Sequence, residues 1–205
     1  TINMFPIMRF AKSKNIKVIE DCSQAHGGLI KNKKIGTFGD ISAFSCMFSK
    51  NLILNGTGGI VFTKKFELYK KILLHSDRGK PAWKKNINLK DPNRFILPAL
   101  NFQIDEISCA IGILTLKKLN KLITKRKQIV KLLKRRVNKE TELCKVNFKI
   151  EGSSPFFVPI IFNSKKSKIP KTTFAKKLLH LGIQLNPSYK YLVSEWSFSK
   201  KFLAD

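Results

Sequence analysis

Residues 18–27 read VIEDCSQAHG, and this stretch decides the fold. Its β-branched beginning is typical of a short strand, and two acids and a polar loop follow where that strand ends. A second stretch, residues 41–51, reads ISAFSCMFSKN and predicts another strand with Lys50 shortly after it. Because open α/β sheets bind ligands at the carboxyl ends of their strands, we expect Asp21 and Lys50 at one edge of a sheet.

The two stretches supply an acid, an amide, a hydroxyl and a lysine in order, and a glycine cluster (GTGG, residues 56–59) follows them. This set is typical of a pyridoxal-phosphate site, in which a lysine amine holds the cofactor aldehyde as a Schiff base. Lys50 is the candidate lysine, and its freed amine is the candidate carrier of the substrate proton. Asp21 is the candidate carboxylate that keeps the pyridinium nitrogen protonated.

Three other side chains each have two interpretations. Gln24 either contacts the cofactor ring or is an ordinary loop amide. Ser45 either turns its hydroxyl toward the cofactor phosphate or is a buried strand serine. His26 either hydrogen-bonds Asp21 and fixes the orientation of the carboxylate, or is a structural histidine.

Helical and strand patterns alternate along the rest of the chain, which predicts an open α/β sheet. The pattern predicts helices at residues 6–13, 64–75, 105–138 and 172–181, and strands at 16–20, 41–45, 59–63 and 156–162, the last of them buried. A polar loop at residues 76–100 is long enough to indicate a function of its own. The longest helix carries an apolar stripe made of Ile104, Ile107, Ile111, Leu114, Leu119, Leu122, Ile129 and Leu133.

Two domains are expected. Residues 1–120 are interpreted as the C-terminal part of a large cofactor-binding domain, and residues 121–205 as an incomplete small α+β domain. The chain begins at Thr1 without an initiator methionine and ends without a closing element. We therefore interpret it as an internal fragment of a longer protein and expect the fragment alone to be inactive.

The composition narrows the classes of partner. The net charge of +27 suggests nucleic-acid binding, but the excess is mostly lysine, spread along the chain. Lysine suits bidentate recognition of phosphates and bases less well than arginine, so nucleic acid is the less favoured partner. The four cysteines lack metal-ligand spacing, which favours free thiols in a reducing cytoplasm and no metal site. No apolar run is long enough to cross a bilayer, so no membrane partner is expected.

Over most of residues 1–140 the chain resembles the DegT/StrS-type (DegT/DnrJ/StrS) sugar aminotransferases. Segments 20–27, 36–40, 44–51, 58–59 and 101–112 carry the resemblance. It implies a pyridoxal-phosphate enzyme of fold type I, the aspartate-aminotransferase fold, whose mixed sheet is mostly parallel and whose C-terminal domain is a smaller α+β unit. The implied site roles are Lys50 as the Schiff-base lysine, Asp21 as the pyridinium partner, Gln24 as a ring contact, Ser45 as a phosphate ligand, and Asn101 as a phosphate ligand from the neighbouring subunit of a homodimer.

The resemblance also implies a reaction. An amino acid, usually glutamate, supplies an amino group that passes to a keto group of a nucleotide-linked sugar, in the synthesis of cell-surface polysaccharide or secondary-metabolite sugars. Phe102 and Gln103 stand where the family has tyrosine and arginine, and Lys50 argues against the dehydratase branch, which has histidine there. Two alternatives stay open: a protein of this fold that lost catalysis and serves binding or regulation, and a basic nucleic-acid-binding protein.

Overall fold

The structure of the chain is a computed structural model, and it describes residues 2–86, 88, 90–187 and 192–202, without the side chain of Lys200. The α-helices in these ranges are α1 (Met4–Ser13), α2 (Phe66–Ser76), α3 (Glu106–Glu140) and α4 (Lys171–His180). The strands are β1 (Ile19–Asp21), β2 (Leu29–Ile30), β3 (Lys33–Lys34), β4 (Ile41–Ser45), β5 (Gly59–Phe62), β6 (Cys144–Val146) and β7 (Ile160–Phe162). Short 3-10 turns lie at Pro92–Arg94, Ser164–Lys166, Val193–Glu195 and Ser199–Lys201.

A three-stranded sheet with the order β1-β4-β5 forms the centre of the first part of the chain. β1 runs parallel to β4, with Asp21 opposite Ala43, and β4 runs antiparallel to β5, with Ser45 opposite Gly59. The sheet is therefore mixed. Since β1 and β4 are parallel, their carboxyl ends lie at the same edge, and the loops that follow both strands leave the sheet there.

The loop after β4 packs against α3. The buried side chains of Cys46, Leu52 and Leu54 form one apolar cluster with Leu119 and Ile123 of the helix. Such clustered burial is the main source of stability for a helix of this kind, because propensity alone contributes little.

The helix approaches the loop closely at two further positions. A Cβ added at Gly112 would lie 2.4 Å from Leu54 Cδ2, so glycine allows a short helix-to-loop distance. The hydroxyl of Thr115 donates a hydrogen bond of 2.8 Å to the carbonyl oxygen of Ile53. Packing and hydrogen bonding thus both join α3 to the segment that carries Lys50.

The described chain divides into two compact units. The first holds the residues up to Leu133 together with Phe148–Pro159, and the second holds Lys134–Asn147 and the described residues from Ile160 onward. In the second unit β6 and β7 form an antiparallel pair. None of the helices in the described ranges is both long and apolar enough to span a bilayer. The assignment of residues 1–120 and 121–205 to the domains of a complete protein stays a prediction.

The α/β alternation is confirmed, but the buried strand predicted at residues 156–162 is wrong in extent and in burial. Only Ile160–Phe162 forms a strand, and the side chain of Ile161 is 52% exposed. Proline lacks the backbone N–H that a strand donates to its neighbour, and Pro159 immediately precedes β7. The residues before it make other contacts, described below.

Much of the apolar stripe predicted on the longest helix is exposed. Ile107, Leu114 and Ile129 each show more than half of their side chain to solvent. Of the predicted stripe, Leu119 is buried as expected, and the other buried positions of α3 are Ser108, Gly112, Ile123 and Val130. They follow the helical repeat, but two of them are small residues that a count of large apolar side chains overlooks.

Candidate functional site

Asp21 stands at the carboxyl end of β1, where the sheet edge was expected to carry a site. Its Oδ1 accepts hydrogen bonds from the backbone N–H of Ser23 (2.9 Å) and from the Ser23 hydroxyl (2.5 Å). These two bonds lower the pKa of Asp21, and the positive charge of Lys50 lowers it further. Asp21 is therefore an anion at neutral pH, with one carboxylate oxygen free of these bonds.

The loop that carries Lys50 is closed by backbone hydrogen bonds. Lys50 N–H donates to the Met47 carbonyl oxygen at 2.9 Å, and Phe48 N–H donates to the Gly56 carbonyl oxygen at 2.9 Å. Gly56 has a φ of +90°, a conformation that a residue with a side chain rarely adopts. The glycine cluster thus lets the chain turn back toward β5 while Lys50 stays near the edge of the sheet.

Lys50 lies in the loop after β4, and β4 is the parallel neighbour of β1, the strand that ends in Asp21. The charge of Lys50 lowers the pKa of both Asp21 and His26. The Nζ atom of Lys50 lies 4.6 Å from the centroid of the Phe156 ring. Ser45 ends β4 on the same edge, one residue before Cys46, whose N–H donates to the Gly58 carbonyl oxygen at 2.9 Å.

Of the two interpretations of His26, the structure favours a structural histidine, because none of the described hydrogen bonds joins it to Asp21. The His26 side chain is 2% exposed, and neither ring nitrogen has a hydrogen-bond partner in the described part of the chain. Its ring lies 5.6 Å from that of Phe44, centroid to centroid. Burial lowers the pKa of His26, the backbone of Ser45 opposes this, and the charge of Lys50 lowers it further, so the imidazole is neutral at pH 7.

Gln24 follows Asp21 at this edge of the sheet, whereas Asn101 belongs to another segment. Gln24 lies exposed in the turn that follows Asp21. Asn101 lies on another segment, where its Oδ1 accepts a hydrogen bond from Gln103 N–H at 3.2 Å. Gln103 in turn donates from Nε2 to Asp77 at 2.9 Å. None of the described hydrogen bonds joins Asn101 to Lys50 or Asp21.

Glu20 also lies in this region, and no role was predicted for it from the sequence. Its carboxylate is buried and accepts three backbone hydrogen bonds, from Gly36 (2.9 Å), Phe38 (2.7 Å) and Gly39 (2.7 Å). These bonds tie the turn before β4 to β1, the strand that ends in Asp21. Alternation of side chains along a strand gave the signal: of two neighbouring acids, one faces inward and the other outward.

Asn51 and Phe156 were also overlooked. Asn51 was quoted only as the neighbour of Lys50, yet it is 3% exposed and hydrogen-bonds three groups of the same unit. Phe156 was assigned to a strand. The position of Asn51 directly after the candidate lysine was the sequence feature that indicated a role for it. No feature of the sequence indicated that Phe156 contacts Lys50.

The arrangement fits pyridoxal phosphate. A carboxylate (Asp21) and a hydroxyl (Ser45) end the neighbouring strands β1 and β4, and the loop after β4 carries a primary amine (Lys50). A Cβ added at Gly59, opposite Ser45, would lie 2.8 Å from the Phe44 carbonyl oxygen, so this part of the edge requires glycine. The donor set and the closely packed edge both match a small anionic aldehyde cofactor.

The curated relatives of this chain include proteins named for nucleotide-sugar chemistry. The chain is 31% identical over 209 residues to a UDP-4-amino-4,6-dideoxy-N-acetyl-beta-L-altrosamine transaminase of Campylobacter jejuni subsp. jejuni serotype O:23/36, a match that covers 100% of this chain and 53% of the relative. It is 34% identical to a GDP-perosamine synthase of Escherichia coli O157:H7 over 66% of this chain and 35% of the relative. The chain thus spans about half, or less, of the length of these relatives.

Solved structures agree on the fold. An aminotransferase from Brucella abortus described as DegT DnrJ EryC1 StrS matches with a TM-score of 0.81 and 22% identity, over 98% of this chain and 50% of the other. An E coli GDP-4-keto-6-deoxy-D-mannose-3-dehydratase with bound hydrated PLP matches with a TM-score of 0.73 and 27% identity, over 89% and 49%. The fold is that of pyridoxal-phosphate enzymes of type I, as predicted.

A family model decides the assignment. The model of the DegT/DnrJ/EryC1/StrS aminotransferase family matches residues 1–202, which is nearly the whole chain. The predicted resemblance is therefore confirmed, and this chain belongs to the DegT/DnrJ/EryC1/StrS aminotransferase family.

Proposed function

We propose that the protein is a pyridoxal-phosphate-dependent aminotransferase that moves an amino group from an amino acid, such as glutamate, to a keto group of a nucleotide-linked sugar. The observation that carries the proposal is that an anionic Asp21 ends β1 while Lys50 lies in the loop after β4, the parallel neighbour of β1, so that both belong to the same edge of the sheet. A primary amine and a carboxylate so arranged meet the two chemical requirements of this cofactor.

Bound pyridoxal phosphate supplies an electron-accepting ring that stabilises negative charge on the carbon next to the amino group. With the cofactor bound, Asp21 would keep the ring nitrogen protonated, and Lys50 would hold the cofactor through its amine. The free Lys50 amine would move a proton at the substrate carbon. Ser45 would donate a hydrogen bond to the cofactor phosphate, and Gln24 would contact the ring from the exposed turn.

The names of the relatives support the class of substrate. A transaminase of a UDP-linked amino sugar and a synthase of GDP-perosamine both match this chain at 30% identity or more. A dehydratase of a GDP-linked keto sugar from Yersinia pseudotuberculosis also matches, at 28% identity. The amine of Lys50 favours amino transfer over dehydration, because the cofactor is held covalently and returned to the enzyme by a lysine.

Asn101 supports a homodimer with shared sites. Its side chain is exposed and lies between Leu100 and Phe102, whose side chains are 68% and 69% exposed. An exposed apolar patch of this kind is typical of a protein–protein interface. We therefore propose that Asn101 binds the cofactor phosphate of the partner subunit, and that the enzyme works in the cytoplasm, where its cysteines stay reduced.

Borohydride reduction of the full-length protein with pyridoxal phosphate tests the proposal. We expect a pyridoxyl group on Lys50 after digestion and mass spectrometry, and we expect glutamate to convert the cofactor to its amine form. The matched control is Lys33→Ala, because Lys33 also lies over a phenylalanine ring, 4.2 Å from the centroid of Phe38. A label on another lysine contradicts the proposal, and cofactor uptake without conversion by glutamate supports a binding or regulatory protein instead.

A further inference from the structure

Lys50 and Phe156 form a contact between two distant parts of the first unit. The Lys50 Nζ atom lies 4.6 Å from the centroid of the Phe156 ring, within the range at which an ammonium group is attracted to the face of an aromatic ring. Both side chains are half-buried. Phe157 supports the ring from the side, in an edge-to-face contact with centroids 5.8 Å apart.

Hydrogen bonds fix the chain on both sides of this contact. Asn51, next to Lys50, donates from Nδ2 to the Ser154 hydroxyl (2.8 Å) and to the Pro155 carbonyl oxygen (3.2 Å). The Arg126 guanidinium of α3 donates to Asn51 Oδ1 and, at 3.1 Å, to the same Pro155 oxygen. We call these bonds among Asn51, Arg126, Ser154 and Pro155 the Asn51 bridge.

The Asn51 bridge fixes the position of the Phe156 ring relative to Lys50. One guanidinium holds the residue after the lysine and the residue before the phenylalanine, so the two backbones cannot shift independently. Asn51 and Ser154 are buried, and a buried polar group that loses its partner destabilises the fold. The hydrogen-bonding groups of the bridge satisfy one another, which favours a single arrangement.

We propose that Phe156 is a positioning residue for Lys50, and that the Asn51 bridge sets the position of its ring. The ring holds the Lys50 side chain in one conformation and covers one side of its amine. This inference rests on the proposed function only in treating Lys50 as the reactive lysine, since the contact itself is present without a cofactor. As a consequence of this contact, the Lys50 amine returns to the same position whenever it is not bound to a cofactor.

The acylation rates of individual lysines in the cofactor-free, full-length protein test this proposal. Acylation requires an amine that the reagent can reach, and the Phe156 ring covers one side of the Lys50 amine, so the ring slows the reaction at Lys50. We expect Phe156→Leu to raise the acylation rate of Lys50 about two- to fivefold, the factor that corresponds to the loss of an exposed cation–π contact. Phe156→Tyr keeps an aromatic face and should leave the rate near that of the wild type. Isotope-coded labelling and mass spectrometry give the acylation rate of every lysine in one experiment.

Lys33, which lies over Phe38, is the internal reference for an intact fold. An unchanged Lys50 rate in Phe156→Leu, or an equal rise in Phe156→Tyr, would overturn the proposal. If Lys33 acylation rises together with Lys50, the Leu variant has lost its fold, and Arg126→Met becomes the deciding variant. That change removes the guanidinium of the Asn51 bridge and should raise the Lys50 rate with Lys33 unchanged, whereas an unchanged Lys50 rate contradicts the proposal.

A second readout separates this proposal from the proposed function. In the cofactor-loaded wild type, borohydride should fix a pyridoxyl group on Lys50. If the wild type shows no pyridoxyl on Lys50 at all, the aminotransferase proposal fails. The positioning of Lys50 by Phe156 then still stands or falls on the acylation rates alone.

Discussion

Two neighbouring acids, Glu20 and Asp21, have opposite roles in this protein. The side chain of Glu20 points into the protein and is 6% exposed, whereas Asp21 is exposed at the edge where a ligand would bind. Successive residues of a strand face opposite sides, so a shift of register by one residue would exchange the two roles. Glu20 therefore fixes the geometry on which Asp21 depends.

Glu20→Gln should destabilise the full-length protein by about 1–3 kcal/mol, because one of the carboxylate oxygens that accept backbone N–H groups is replaced by a donor. Urea denaturation measures the loss. The matched control is Glu142→Gln, whose carboxylate pairs with Lys166 on the surface and should have little effect on the midpoint. Equal midpoints for Glu20→Gln and the wild type would show that the three bonds contribute nothing net.

Asp40 gives a prediction about pH. Its side chain accepts hydrogen bonds from Lys65 Nζ and, at 2.8 Å, from Val18 N–H, and both lower the pKa of this carboxyl, the lysine most. A carboxyl whose folded-state pKa is lowered contributes stability above its unfolded-state pKa, about 3.9, and loses it as the pH falls further. The stability difference between wild type and Asp40→Asn should thus be largest at neutral pH and shrink below about pH 4.

Urea denaturation at a series of pH values checks this expectation. The double variant Asp40→Asn/Lys65→Met completes a mutant cycle that isolates the coupling between the two side chains. The coupling should be present at neutral pH and disappear in the acid range. A coupling that stays constant with pH would contradict the assignment of the lowered pKa to the Lys65 contact.

At the scale of elements, β4 and β5 were the best predicted part, whereas β1, predicted at residues 16–20, is observed at Ile19–Asp21. Residues 41–45 were predicted and observed as a strand, because a β-branched and aromatic run bounded by polar residues has a strong local signal. The face that α3 turns toward the Lys50 loop was not predicted. It combines Gly112, Thr115 and Arg126 with apolar residues, and each contributes through a contact with a distant segment. Local periodicity contains no information about such contacts.

Ile123→Ala tests the packing of α3 on the Lys50 loop. The Ile123 side chain is 5% exposed and belongs to the apolar cluster with Cys46, Leu52 and Leu54. Its truncation should cost about 2–4 kcal/mol of unfolding free energy, through lost burial and the cavity left behind. Ile129→Ala on the same helix is the control: its side chain is 57% exposed, and we expect a loss below about 0.5 kcal/mol. Similar losses for both would mean that α3 does not pack as described.

At the scale of the whole molecule, the exposed apolar surface is the main feature still to be explained. All four residues of β5 are exposed, and so are Leu100, Phe102 and Ile107. Exposed apolar surface is typical of subunit interfaces, so these residues support the proposed dimer.

Mixing two inactive variants of the full-length protein tests whether Asn101 acts across subunits. Lys50→Ala removes the reactive amine, and Asn101→Ala removes the proposed phosphate contact, so each homodimer should be impaired. In a heterodimer with shared sites, one site carries both defects and the other carries none. Denaturing and refolding an equimolar mixture should therefore restore about a quarter of the wild-type activity, since about half of the dimers are mixed.

If Asn101 serves its own subunit, every mixed site keeps one defect and activity does not rise above that of the separate variants. Light scattering during chromatography, which must show a dimer for both variants, decides whether the mixture had the chance to exchange subunits.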